Sequence, residues 1–240
     1  MKIDVVCFGA LNVDKLYKVT HIAKAEEESE ILEFKQSPGG SAANTAVGLA
    51  RLGVKTGYVG KIAQGKDGRF LLDTFRQEGV DTNGITISKS GRCGAIIGFV
   101  DQEGQRALYL DPGVNNAIRF RDINLDYFAG IKFLHLTSFA AKGPFEAQKR
   151  VVKALPDIAI TVDPGMFYAR KGLEELRPLM KRCFTMFPSE GELRLLTGKN
   201  AEKSAEMLLD EGVKVVAVKR GSKGCYVTNG TEKHVIPACE

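Results

Sequence analysis

Ser37-Pro38-Gly39-Gly40-Ser41-Ala42-Ala43-Asn44-Thr45-Ala46-Val47-Gly48-Leu49-Ala50-Arg51-Leu52-Gly53 decides how the rest of the chain is read. A proline and two glycines open it, small residues follow, and a short apolar helix runs on until Gly53, a natural residue just past a helix C-terminus. Paired glycines let a backbone approach another group closely and leave their N–H groups free. Small side chains at 41–43 do not obstruct that approach, and Asn44 sets an amide, donor and acceptor at once, on the first helical turn. The pattern suits the floor of a pocket for a small, hydroxyl-rich molecule. A Gly-Gly turn before a tightly packed helix accounts for the same residues.

A second stretch supports the pocket. Asp4-Val5-Val6-Cys7-Phe8 reads as a buried strand ended by Gly9, and Ala10-Leu11-Asn12-Val13-Asp14 follows its tip. In open α/β sheets ligands bind beyond the carboxyl ends of strands. Asn12 and Asp14 are two apart, so on an extended backbone they point to one side, where an amide and a carboxylate can grip vicinal hydroxyls. Asp14 as a turn cap is the plainer alternative.

The 240 residues suit one large α/β domain, and 44% hydrophobic content supports a sizeable core. A net charge of +5 with interspersed acids, and no basic cluster among aromatics, argues against a nucleic-acid partner. The five cysteines are far apart and odd in number, which argues against a disulfide framework, and the three histidines are too scattered for a zinc site. No charged leader precedes a long apolar run, so no membrane association and a soluble cytoplasmic protein are expected. No G-x-G-x-x-G follows the first strand, which argues against a dinucleotide-dependent oxidoreductase.

Along the chain, Glu26-Glu27-Glu28 reads as a solvated turn, Ile31–Phe34 as an edge strand, and Gly94–Val100 with Ala107–Leu110 as a hairpin around Asp101-Gln102-Glu103-Gly104. Together, 15–37 and 92–112 suggest a small lid sheet. Gly60 to Lys66 matches G-x-x-x-x-G-K, but Asp67 stands where a phosphate-binding loop needs a hydroxyl, and the helix is expected only over Phe70–Gln77. From Ile131 onward strands alternate with helices, predicting a parallel sheet covered on both faces. Within that half, Gly172–Lys181 is expected to break near Pro178. Cys225–Thr228, Asn229-Gly230 and Thr231–Lys233 read as a type I′ hairpin. Ser189-x-x-Glu192 is a helix-capping box. Lys219 to Gly224 reads either as a solvated basic turn or as a loop open to a nucleotide.

In their order, these segments resemble the ribokinase-like, or PfkB, family of carbohydrate and nucleoside kinases. Gly9, Asn12 and Asp14 match its G-x-x-N-x-D run, Gly39-Gly40 with Asn44 and Ala50–Gly53 its N-terminal signature, and Glu78–Thr82 a typical phrase. The resemblance spans nearly all of residues 4–236. It implies a three-layer α/β/α sandwich, mostly parallel, in a single domain with a β lid that closes over the sugar and serves as a homodimer contact. It implies an ATP-dependent phosphotransferase acting on a sugar or nucleoside hydroxyl. Acceptor contacts fall on Asn12, Asp14, Gly39, Gly40, Asn44 and Asn115, the last sitting in a turn where a left-handed Asn is equally natural. The nucleotide falls to Lys219, Gly221, Ser222 and Gly224, and Mg²⁺ to Glu192, with Ser189 replacing the family's Asn. A monovalent cation is a further implied ligand, its family donors lying mainly beyond residue 240. The D-T-x-G-A-G-D motif that carries the family's catalytic base does not occur in 1–240, so the base is expected beyond Glu240. The alternative expectation is a sugar- or nucleoside-binding protein without turnover.

Overall fold

The structure, a computed structural model, describes residues 2–239. The chain runs β1 (Val5–Phe8), β2 (Asn12–Val19), β3 (Ile31–Gly39), α1 (Ser41–Arg51), β4 (Thr56–Ala63), α2 (Lys66–Gln77), β5 (Ile85–Ser88), β6 (Gly94–Val100) and β7 (Arg106–Asp111). Short 3₁₀ turns occupy much of 113–128, and then come β8 (Phe133–Thr137), α3 (Lys142–Ala154), β9 (Ala159–Asp163), α4 (Gly165–Ala169) and α5 (Gly172–Met180). The last elements are β10 (Cys183–Met186), α6 (Glu190–Thr197), α7 (Ala201–Asp210), β11 (Val215–Lys219), β12 (Cys225–Thr228) and β13 (Lys233–Ile236).

Two sheets result. The main sheet has nine strands in the order β13-β12-β11-β10-β9-β8-β1-β4-β5, parallel except for the final β11-β12-β13 meander. Its centre is buried on both faces, as continuous apolar strands such as Val5-Val6-Cys7-Phe8 require. One buried cluster joins β1, β8 and β9 to α3–α7, and a second joins β1 and β4 to α1 and α2. The second sheet is the lid, in the order β3-β2-β6-β7. Pro38 is tolerated in it because β3 is an edge strand. The expected α/β sandwich with a lid from about 15–37 and 92–112 is what forms, the first lid strand beginning already at Asn12.

Three local expectations are corrected. Helix α2 starts at Lys66 rather than Phe70, because Gly68 lies inside its first turns, where a Cβ would meet the Ala63 carbonyl at 2.0 Å. The strand–turn–helix there leaves only Gln64 and Gly65 between β4 and α2, so no phosphate-cradling loop exists, and Asp67 instead pairs with Lys15 at 3.0 Å. Pro178 does not break α5, which passes through it and ends at Met180, so the missing donor falls near the end of the helix. The β12–β13 connection is not a two-residue turn. Thr228 faces Lys233, and the Asn229 carboxamide oxygen accepts from the backbones of Thr231 and Glu232, organising a four-residue loop. Strand β5 and the 3₁₀ turns carried too little periodicity to be read.

Gln148, on α3, is fully buried and bridges three elements. Its amide nitrogen donates to Phe8 O and Thr137 O, both at 2.9 Å, and its oxygen accepts from the Tyr168 hydroxyl at 2.6 Å. Replacing it strands two strand-end carbonyls and a phenol. Gln148→Leu is therefore expected to lower the unfolding free energy by about 3 kcal/mol, at roughly 1–3 kcal/mol per orphaned group. Urea denaturation at pH 7 checks this, and a loss below about 1 kcal/mol contradicts the bridging role.

Candidate active site

The chain leaves the main sheet at Gly9 and enters the lid at Asn12, and the residues between are held from three sides. The fully buried Tyr58 hydroxyl lies 3.0 Å from both Gly9 O and Ala10 O. Asn115 clasps Leu11 by a reciprocal pair, Leu11 N donating to its Oδ1 and its Nδ2 donating to Leu11 O, both at 3.1 Å. The same Nδ2 donates to Asn12 Oδ1 at 2.9 Å. Gly94 makes that pair possible, because a Cβ there would sit 2.0 Å from Asn115 Nδ2 and 2.3 Å from Asn12 Oδ1. Gly40, with φ of 109°, caps α1, and its missing Cβ makes room for Ala10 O.

These contacts aim Asn12 and Asp14 into a cavity of about 340 Å³ between lid and main sheet. Asn44, exposed on α1, lines the same cavity, as do Gly40 and Ser41 beneath it. The strand-tip polar pair and the glycine-floored helix start thus share one space. Gly39 plays a different part from a bare floor. The Asp14 carboxylate packs against its missing Cβ, with oxygens 2.2–2.3 Å from where that carbon would be. Asp14 Oδ1 is buried without a hydrogen-bond partner, and burial raises its pKa above 3.8. Asn115 is 2% exposed, does not adopt a left-handed conformation, and has both its oxygen and its donors engaged internally. It holds Asn12 through the Nδ2 bond and also lines the same cavity.

Two lining residues escaped the reading of the sequence. Asn116 Oδ1 is a second buried oxygen without a partner, and Ser138 follows the tip of β8. The strand-tip rule that located Asn12 also locates Ser138. Nothing in the sequence separates Asn116 from Asn115, since only the 3₁₀ turn sends the two amides to different places.

Further along the same sheet edge, three strand spacings from β8 and so about 14 Å away, β11 ends at Lys219. Lys219 Nζ pairs with Asp163 Oδ2 at 2.6 Å, and its backbone N–H donates to Pro188 O at 2.8 Å. Gly221 and Gly224 take φ of 58° and 82°, and Gly224 leaves space for Ile236 O, so Ser222 sits in a tight 3₁₀ turn. Arg220 is tied to Glu190 at 2.8 Å. Glu192, 8% exposed, closes the capping box: its Oε2 accepts from Ser189 N at 2.7 Å, and Ser189 Oγ accepts from Glu192 N at 3.2 Å. Its Oε1 takes no part in the box. Among the described residues no cluster of three or more His, Cys, Asp or Glu is placed to hold a metal by itself, and no helix is long and apolar enough to cross a membrane. Nearby His135 donates or accepts through Nδ1 to Thr161 Oγ1 at 2.9 Å, and burial depresses its pKa to about 4.

The model of the pfkB family of carbohydrate kinases matches residues 2–240, and the chain belongs to that family. An uncharacterized sugar kinase of Archaeoglobus fulgidus is 37% identical over 187 residues, covering 77% of this chain and 74% of that one. An ATP-dependent ribose-1-phosphate kinase of Halopiger xanaduensis is 29% identical, covering 98% of this chain and 77% of the relative. The crystal structure of a ribokinase from Thermotoga maritima superposes with a TM-score of 0.88 at 27% identity, over 99% of this chain and 78% of that one.

Asp14 carries a stability signature. Its folded-state pKa lies above the unfolded value, so its favourable neutral form is fully present below 3.8, and that stability is lost as pH rises through the folded-state value. Asp14→Asn, neutral at every pH, is therefore expected to be more stable than the unaltered chain at pH 7, the gap closing toward pH 3.8. Denaturation curves across that range check it, and a variant less stable at pH 7 contradicts the unpaired burial of the carboxylate.

Proposed function

We propose that the chain moves the γ-phosphoryl group of ATP to a hydroxyl of a sugar or nucleoside. The observation that carries the reading is the cavity at the sheet's carboxyl edge, where Asp14 and Asn44 face one space and Asp14 keeps an oxygen unpaired for a hydroxyl to donate to. Family membership supports the phosphotransfer chemistry. In that chemistry the protein's part is mostly positioning and charge neutralisation. Asn12 and Asp14, on the lid, orient the acceptor, while Gly40 and the first turn of α1 shape its floor. Lys219 and the 221–224 turn border the nucleotide. Lid and body together exclude water, a competing phosphoryl acceptor.

Mg²⁺ suits these residues as a phosphate-held ion. Such an ion needs only one or two protein carboxylates beside phosphate oxygens and waters, and Glu192 Oε1 is available at the mouth of α6. When bound it neutralises charge on the transferring phosphate. A monovalent cation requirement is tested by exchanging K⁺ for Na⁺ in the same assay.

ATP turnover by the 240-residue chain with pentoses, hexoses and nucleosides is the decisive assay. Acceptor-dependent ADP release is expected once the chain carries the D-T-x-G-A-G-D segment that bears the family's base, and there Asp14→Ala is expected to raise the acceptor KM at least about tenfold, the scale of one charge-assisted hydrogen bond. Neither turnover nor saturable acceptor binding across the panel rejects the reading. Saturable binding without turnover selects the second reading, a sugar- or nucleoside-binding protein.

The lid also supports self-association. Ile31, Phe34, Leu108 and Tyr109 are 54%, 50%, 56% and 61% exposed on its two outer strands. A homodimer through the lid is expected in sedimentation equilibrium at micromolar concentration, and Leu108→Glu is expected to return it to monomer. A monomeric unaltered chain rules this out.

A further inference from the structure

We infer that the acceptor is an uncharged polyol, a free sugar or a nucleoside, and that the cavity rejects sugar phosphates because Asp14 and Asn116 line it with unpaired acceptor oxygens while no cation does. This rests on the reading of the cavity as the acceptor site. Among the described residues Asp14 is the sole charged side chain lining it, and no Lys, Arg or His does so. Recognition of a phosphate ordinarily recruits Arg or Lys. The neighbouring cations are committed elsewhere. Lys15 pairs with Asp67 at 3.0 Å, Arg92 with Asp111 at 3.0 Å, and Arg119 donates to Asn116 O at 2.8 Å and Ile118 O at 2.9 Å, outside the cavity.

The two orphaned oxygens sharpen the selection. Asp14 Oδ1 and Asn116 Oδ1 both accept, so their natural partners are hydroxyl donors. A phosphate dianion brings only acceptors and adds charge beside a carboxylate. The walls contributed by Ile96, Leu110, Phe139 and Phe167 strip its water and return no hydrogen bond. The free amides at the start of α1 and the neutral donors of Ser41, Asn44 and Ser138 are the attractions left for an anion, and none of them carries a charge. The Asp14 carboxylate, packed on Gly39 next to them, already supplies negative charge there. Uncharged sugar hydroxyls satisfy both oxygens, and the apolar walls suit the carbon face of a ring or a base.

Calorimetric titration of the 240-residue chain at pH 7.5 without nucleotide tests this, using ribose against ribose 5-phosphate, fructose against fructose 6-phosphate, and adenosine as the nucleoside arm. At least one uncharged ligand is expected to saturate, with any phosphorylated counterpart at least about tenfold weaker. The sugar and adenosine arms separate the two sources of the polyol. Asn116→Leu is expected to weaken the uncharged ligand about tenfold. Ile96→Lys, which introduces the missing cation, is expected to shift preference toward the phosphorylated sugar by a similar factor. A phosphorylated sugar binding as tightly as its parent overturns this inference and leaves the kinase reading standing. Failure of every ligand to saturate overturns both. A folded Ile96→Lys protein with unchanged preference overturns the charge explanation.

Discussion

The three residues Gly9, Ala10 and Leu11 carry the chain from one sheet to the other, and the site depends on the hydrogen bonds that hold them. Gly9 and Leu11 are buried and Ala10 half-buried, and their carbonyls are met by buried side chains from two other elements. Tyr58 comes from β4 and Asn115 from the turn after β7. Two glycines complete the arrangement by omission: Gly40 makes way for Ala10 O, and Gly94 for the Asn12–Asn115 amide pair. An amide held this way fixes Asn12, and the strand's two-residue period then fixes Asp14 on the same side. The cavity is thus a by-product of satisfying a strand-to-strand crossing.

Charge in the site follows from the same packing. The Asp14 carboxylate lies over Gly39 with one oxygen lacking any partner, a position that costs stability in the absence of a ligand. The cost is local and purposeful, since an unpaired acceptor in a walled cavity discriminates among ligands by what they can donate. Glu192 is the contrasting case. Its carboxylate is half spent on capping α6: one oxygen accepts from Ser189 N and the other takes no part in the box.

Much of this was legible in the residues. Gly39-Gly40, Asn44 and the Gly53 stop gave the helix and its floor, and the strand-tip position of Asn12 and Asp14 gave the opposite wall. Strand–helix alternation gave the parallel sheet. What stayed hidden depends on contacts between distant segments. That Asn115 clasps Leu11 and Asn12 shows only once its partners 103 and 104 residues away are known. Asn116 reads as its duplicate until the turn separates their amides. Gly68 looks like a helix breaker until the Ala63 carbonyl beneath it shows why a helix needs it. Pro178 and the four-residue loop after Thr228 were misjudged because local propensity yields to packing and to the Asn229 carboxamide.

The lid is a stiff plate: β2 is paired along its length with both β3 and β6, and it joins the body through short spans such as Gly9–Leu11 and Gly40. Asp14 belongs to that plate, whereas Asn44 and Ser138 belong to the body. A molecule grasped from both sides ties the two parts together. Any shift of the plate against the body is therefore linked to occupancy, and whatever favours the arrangement that grips the guest tightens the hold by the same factor.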